Sequence, residues 1–259
     1  MSSIEIQPSR RRNDRSAPGL SFTEVSFGYR RGSTLYEGLS LDLPVGRTVL
    51  LGPNGAGKST LLELASGGLS PRSGRIALES GESGQSALRR HVALMPQRVR
   101  PLAGLTVVEQ VTYSGWLAGR SVEEAADAAR SSLARVGLSA LAQRRPTKIS
   151  GGELRRVGLA QVLASGHRHI LLDEPTAGLD PEQQHAYRAI LSGLPEDLCL
   201  LVSTHDINDV AEIYDHIIVL ARGSVQFTGS VRDFLTLGDP GSHHPAESAY
   251  LNLVSRSRQ

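Results

Sequence analysis

The segment GPNGAGKS, residues 52–59, restricts this chain more than any other stretch. It satisfies the spacing G-x-x-x-x-G-K-[ST], follows the apolar run RTVLL, and leads into the helix-forming run TLLELA. Glycines at such a turn let backbone N–H groups come close to an anion. The helix that follows adds the positive end of its dipole. Lys58 contributes a compact point charge suited to β- and γ-phosphates, and the Ser59 hydroxyl can ligate Mg2+. The choice of lysine is informative, because Lys58 and Lys148 are the only lysines among 28 basic side chains. A strand, loop and helix of this kind bind a nucleoside triphosphate. They do not by themselves say which reaction follows.

The rest of the chain supplies a scaffold for such a loop. LSFTEVSFGY, LSLDLP, RTVLLG and SGRIALES are short apolar runs punctuated by Gly and Pro, and they read as strands. HVALMPQ (91–97) ends another. From about 98 to 165 the pattern becomes mostly helical. Thr106 with Glu109 and Ser121 with Glu124 have the spacing of capping boxes, and Gly137 is placed to end the second helix. Strand and helix then alternate again: HILLDEP (169–175), a helix capped by Asp180 with Pro181 at its first position, DLCLLVST, the helix DINDVAEIY, and the hairpin HIIVLARGSVQFTG. Near-continuous apolar strands alternating with helices predict an α/β core with a mostly parallel sheet. The hydrophobic share of 39% and charged share of 21% over 259 residues suit a soluble domain with a sizeable core.

Composition removes several alternatives. The formal net charge of +2 is too balanced to argue for a nucleic-acid partner. No apolar run approaches the length of a membrane span, about 18 residues. The Arg-rich start of the chain lacks the apolar centre of a secretory signal, so residues 1–19 are expected to be a disordered tail. The lone cysteine, Cys199, lies within LCLLV and is expected to be a buried, inert thiol. His167, His169, His243 and His244 form no metal-ligand set. Residues 238–259 carry no readable signal.

A triphosphate-cleaving site also needs an acid for Mg2+ and a group to orient or deprotonate water. Asp173 and Glu174 end an apolar strand together and can divide those two tasks.

Five motifs in order then identify a resemblance running from about Leu20 to Leu237. They are the phosphate loop, Gln97, KISGGELRR (148–156), DEPTAGLD (173–180) and STHD (203–206). In this combination the chain resembles the ATP-binding subunits of ATP-binding-cassette (ABC) transporters. The resemblance implies a P-loop NTPase core with an antiparallel β subdomain and an inserted α-helical subdomain. It implies ATP and Mg2+ as cofactors, with Asn54, Gly55, Ala56, Gly57, Lys58, Ser59 and Thr60 around the phosphates and Tyr29 stacked on adenine. Ser59, Gln97 and Asp173 would serve the metal. Glu174, His205, Lys58 and Gln97 would serve hydrolysis. Ser150, Gly151 and Gly152 would clamp ATP held by a second copy, in a homodimer or a heterodimer with another cassette. The helical insert would dock integral membrane subunits at the cytoplasmic face of the membrane.

The stretch LTVVEQVTYSGWLAGRS is similar to cassettes of ABC-2-type exporters, which implies export. Importer cassettes, soluble ABC ATPases and P-loop kinases are the rival readings. Ile149 and Glu153 depart from the usual LSGGQ signature. The Ile149 swap conserves apolar character. Glu153 brings a carboxylate toward a triphosphate unless it turns to Arg155 or Arg156.

Overall fold

A computed structural model describes residues 18–30, 32–207 and 210–256. Residues 1–17 of the expected N-terminal tail lie outside these residues, whereas Pro18 and Gly19 belong to the first strand. The described chain opens with β1 (Pro18–Phe27), β2 (Tyr36–Pro44) and β3 (Gly46–Leu51), followed by α1 (Lys58–Ala65) and β4 (Ser73–Leu78). Next come α2 (Gln85–His91) and β5 (Val92–Met95), then the helices α3 (Val107–Leu117), α4 (Val122–Arg135) and α5 (Gly151–Ser165). The second half contains β6 (His169–Asp173), α6 (Pro181–Ser192), β7 (Cys199–Thr204) and α7 (Val210–Ile213). It ends with β8 (His216–Ala221), β9 (Ser224–Ser230), α8 (Val231–Leu235) and α9 (Pro245–Arg256).

The strands form two sheets. One is antiparallel with order β2-β1-β4, and the other has order β5-β6-β7-β3-β8-β9. All pairings in the larger sheet are parallel except β8 with β9. That exception is the expected hairpin. Arg222 and Gly223 both have positive φ (51° and 73°) between the paired Ala221 and Ser224, the backbone that a tight two-residue turn requires.

Every residue of β6 and β7 is buried, which explains their unbroken apolar runs: α1 and the antiparallel sheet cover one face of the parallel sheet, and the helices α3 to α6 cover the other. Cys199 is among them, and burial pushes its thiol up to about 12, so it is an inert packing residue as expected. One core fills the space between the two sheets around α1, with Leu61, Leu62 and Leu64 at its centre. A second joins α3, α4 and α5 to β5 and β6.

Local signals start the inserted helices. Thr106 and Ser121 each accept the backbone N–H of the glutamate three residues on, while that glutamate carboxylate accepts the cap's own N–H. Replacing such a cap by Ala costs about 1 kcal/mol. Ser150 with Glu153 forms a third capping box at the start of α5, one not foreseen from the sequence.

The segment from 238 onward, unreadable as sequence, contains a docked helix. Ala249 is fully buried, and Tyr250, Leu253 and Val254 pack with Phe234 over Val49, Leu51 and Val219. Positions 249, 250, 253 and 254 share one helical face. Asp239 ties the preceding loop to α9: its N–H donates to Ser248 Oγ (2.8 Å) and its carboxylate accepts from Asn252 (3.2 Å).

Candidate functional site

Three parallel strands bring the chemistry to one edge. β3, β7 and β6 lie side by side, so their C-terminal ends deliver the phosphate loop, His205 and the acid pair Asp173–Glu174 to the same rim. Ligand sites of open α/β sheets lie outside these strand ends. A cleft of about 650 Å3 opens there, lined by Tyr29, Asn54, Gly55, Gly57, Lys58, Ser59, Thr60, Gln97 and Glu174 among others.

The loop holds its shape because Gly57, the residue before α1, has φ 108°. The buried Tyr36 hydroxyl donates to its carbonyl at 2.6 Å. Burial raises the Tyr36 phenol well above its ordinary pKa, so it stays a proton donor. A Cβ on Gly57 would stand 2.4 Å from that hydroxyl oxygen. Gly57→Ala is therefore expected to combine left-handed strain, about 1–3 kcal/mol, with a steric overlap. ATP affinity in a fluorescent-nucleotide titration should fall at least about tenfold, since roughly 1.4 kcal/mol suffices for that. Unchanged affinity would show that the loop tolerates a side chain there.

Lys58, buried to 7% exposure, donates to the Gly52 carbonyl at 2.7 Å and pairs with Glu174 Oε1 at 3.3 Å. The other carboxylate oxygen, Oε2, lies 2.9 Å from His205 Nδ1. Lys58, Glu174 and His205 thus form a continuous polar chain. Glu174 itself is strained, with φ 47°. Two groups hold it there: its N–H donates to Ser203 Oγ (2.9 Å) and to the Ser203 carbonyl (3.1 Å), while Arg155 from α5 donates to its carbonyl (2.9 Å).

Ser59, Gln97 and Asp173 together line an adjoining groove of about 920 Å3, which also takes in Met95, Arg98, Val99, Arg100, Tyr113 and Leu117. These three offer a hydroxyl, an amide and one carboxylate. Such a sparse, all-oxygen set suits a hard cation that completes its shell with phosphate and water oxygens. No cluster of three or more His, Cys, Asp or Glu able to hold a metal occurs among the described residues.

Tyr29 stands at the mouth of the cleft, 64% exposed, with its ring edge against Phe27 and its hydroxyl 2.9 Å from Thr60 Oγ1. Arg72 secures the segment by donating to the carbonyls of Gly28 (2.9 Å) and Arg30. Ser150, Gly151 and Gly152 do not line this cleft. They begin α5 at a separate turn, exposed at Ser150 and Gly151 and buried at Gly152, where the first N–H groups lack intrahelical acceptors. Glu153 turns back onto the start of its own helix and makes no direct ion pair with Arg155 or Arg156, although the charges of Arg156 and Arg144 act on it from nearby. Its carboxylate accepts the Ser150 N–H at 2.7 Å, and that bond holds it below the usual carboxylate range. The two arginines bond elsewhere, Arg155 to the acid loop and Arg156 to the Val136 carbonyl.

Tyr36, Arg72, Ser203 and Arg155 were not singled out as functional from the sequence. STHD, which contains Ser203, and KISGGELRR, which contains Arg155, were the local signals near them.

The profile described as ABC transporter matches residues 36–177, more than half of the chain. The chain belongs to the ABC transporter family. It is 35% identical over 245 residues to the methionine import ATP-binding protein of Caulobacter vibrioides, covering 91% of this cassette and 72% of that protein. It is 36% identical over 233 residues to the nickel import ATP-binding protein of Rhodobacter capsulatus, covering 84% and 91%. A solved dimeric ATP-binding cassette in a post-hydrolysis state with ADP and phosphate superimposes with a TM-score of 0.73 at 27% identity, covering 82% of this chain and 99% of that one. The cassette is thus an ATP-hydrolysing subunit, and the P-loop α/β fold expected for it is the one observed.

Proposed function

We propose that two copies of this cassette, or one copy and a related cassette, pair head to tail and close on two ATP molecules to drive separate membrane subunits. The observation that carries this is the division of the site. Lys58 and Glu174 line one cleft and His205 is bonded to Glu174, whereas the Ser150–Gly152 turn neither lines that cleft nor bonds to these three residues. A second chain would bring that turn over the γ-phosphate, where the Gly151 and Gly152 N–H groups, which the Ser150–Glu153 capping box leaves over, stand at a helix start suited to an anion.

In this reading Tyr29 stacks on adenine and the loop from Asn54 to Thr60 cradles the phosphates. Lys58 leaves Glu174 for the β/γ-phosphates. Glu174 then orients and deprotonates the attacking water, and His205 holds the γ-phosphate. Ser59, Gln97 and Asp173 would hold Mg2+, which when bound offsets phosphate charge.

Import is the better-supported direction. The relatives named above are methionine and nickel import proteins, which outweighs the likeness of LTVVEQVTYSGWLAGRS to exporter cassettes. Their cargoes share no chemistry, so cargo selection belongs to other subunits. No described helix is long and apolar enough to cross a membrane, so the span would come from those partners, with the cassette at the cytoplasmic face.

The groove beside Gln97 is the proposed docking surface for the membrane subunit. Arg98 and Arg100 line it beside the exposed Tyr113 and Leu117 on α3. Charge reversal at Arg98 and Arg100 should lower transport at least about tenfold while ATP affinity of the isolated cassette stays within about twofold, because neither side chain lines the nucleotide cleft. Hydrogen exchange with the copurified membrane subunit should slow over residues 98–118. Equal exchange with and without that subunit would place the docking surface elsewhere.

A further inference from the structure

We infer that the Ser203 hydroxyl is a positioning residue that sets the Mg2+-side acid and the water-side acid with a single oxygen. The inference rests on the roles proposed above for Asp173 and Glu174. Ser203 is fully buried near the end of β7, directly opposite Asp173 on β6 in the parallel register. Its Oγ lies 2.6 Å from Asp173 Oδ1 and 2.9 Å from the Glu174 backbone nitrogen.

The direction of each bond follows from the chemistry of the three groups. A backbone N–H can only donate, so Oγ accepts from Glu174. The one hydroxyl proton is then left for Asp173, whose ionised carboxylate can only accept. Ser203 therefore fixes the Asp173 carboxylate by one oxygen and leaves its other oxygen to face the groove shared with Ser59 and Gln97. The same atom helps keep Glu174 at φ 47°, a region its side chain disfavours, and that backbone aims the carboxylate between Lys58 and His205. The two acids are adjacent in sequence but need opposite placements. One buried hydroxyl on the neighbouring strand ties both.

The test uses the intact cassette with Ser203→Ala and Ser203→Cys; the first leaves the site slightly underfilled and the second slightly overfilled, and neither offers a good hydrogen-bonding group. Titration with a fluorescent ATP analogue is run in EDTA and against increasing Mg2+, alongside steady-state phosphate release. Both variants should bind the analogue in EDTA within about twofold of the parent, since no phosphate contact is removed. They should need about tenfold more Mg2+ for the metal-dependent change in binding, and kcat at saturating Mg2+ and ATP should fall about tenfold, the scale of one lost charge-assisted bond. Parental Mg2+ dependence and kcat in both variants would overturn the proposal. So would a collapse of EDTA binding in both, which would make Ser203 a general folding residue. Asp173→Asn is the companion control. If it shifts the Mg2+ requirement and the Ser203 variants do not, only the Ser203 role fails. If it shifts nothing, the metal role of Asp173 fails and the proposal falls with it.

Discussion

Glu174→Gln is expected to bind ATP normally and to hydrolyse it at least about a hundredfold more slowly, the range by which a lost general base lowers a rate. The amide keeps the length and planarity of the carboxylate. Its oxygen can still accept from Lys58 or from His205, which stand 3.3 Å and 2.9 Å from the two carboxylate oxygens. The backbone contacts that hold residue 174, from Ser203 and Arg155, do not involve the side chain and persist. What disappears is basicity toward water and the ion pair to Lys58. Losing that pair leaves the buried ammonium with the Gly52 carbonyl and makes it more available to phosphate. ATP affinity should therefore be unchanged or tighter, and the ATP-bound dimer should accumulate on gel filtration. Wild-type phosphate release from a variant that elutes only as monomer would remove Glu174 from the water-activating role.

Mixing two inactive variants should restore activity. Ser150→Arg places a bulky cation on the turn that begins α5, and Glu174→Gln removes the base. The first variant keeps a sound Lys58–Glu174–His205 cleft; the second keeps a sound Ser150 turn. The cost to α5 is limited: a lost N-cap is worth about 1 kcal/mol, and the bond from the residue 150 N–H to Glu153 can remain. Each homodimer carries a defect at both sites. In the mixed dimer one site collects both defects, and the other combines two intact halves. Random pairing at a one-to-one ratio makes half of the dimers mixed, each with one sound site in two, so about a quarter of the wild-type rate should return. The variants must be combined before ATP is added, because Glu174→Gln homodimers are expected to lock. Absence of recovery, with mixed dimers demonstrated by differential tagging, would mean that sites are not shared or must fire together.

Much of the nucleotide chemistry was legible in the sequence because it depends on local spacing. The order of residues 52–59 places a glycine turn and a lysine at the start of a helix, whatever packs around them. The capping boxes at Thr106 and Ser121 are likewise complete within four residues. Runs such as HILLD and CLLVST announce doubly covered strands, since burial on both faces leaves no polar alternation.

The arrangement of the acids was not legible in this way. Asp173 and Glu174 acquire their different settings from Ser203, some thirty positions away, and from Arg155 on α5. A sequence motif marks that two acids are adjacent. Only the pairing of β6 with β7 decides that one buried hydroxyl lies between them. The docked C-terminal helix was hidden for a related reason. Its short apolar face at residues 249–254 has weak helical patterning by itself, and its burial depends on Val49, Leu51 and Phe234 being assembled beneath it. Separation of the Ser150 turn from the Lys58 cleft is also a tertiary outcome. Local propensity can start a helix at Ser150, but the packing of α3, α4 and α5 against β5 and β6 decides where that start points.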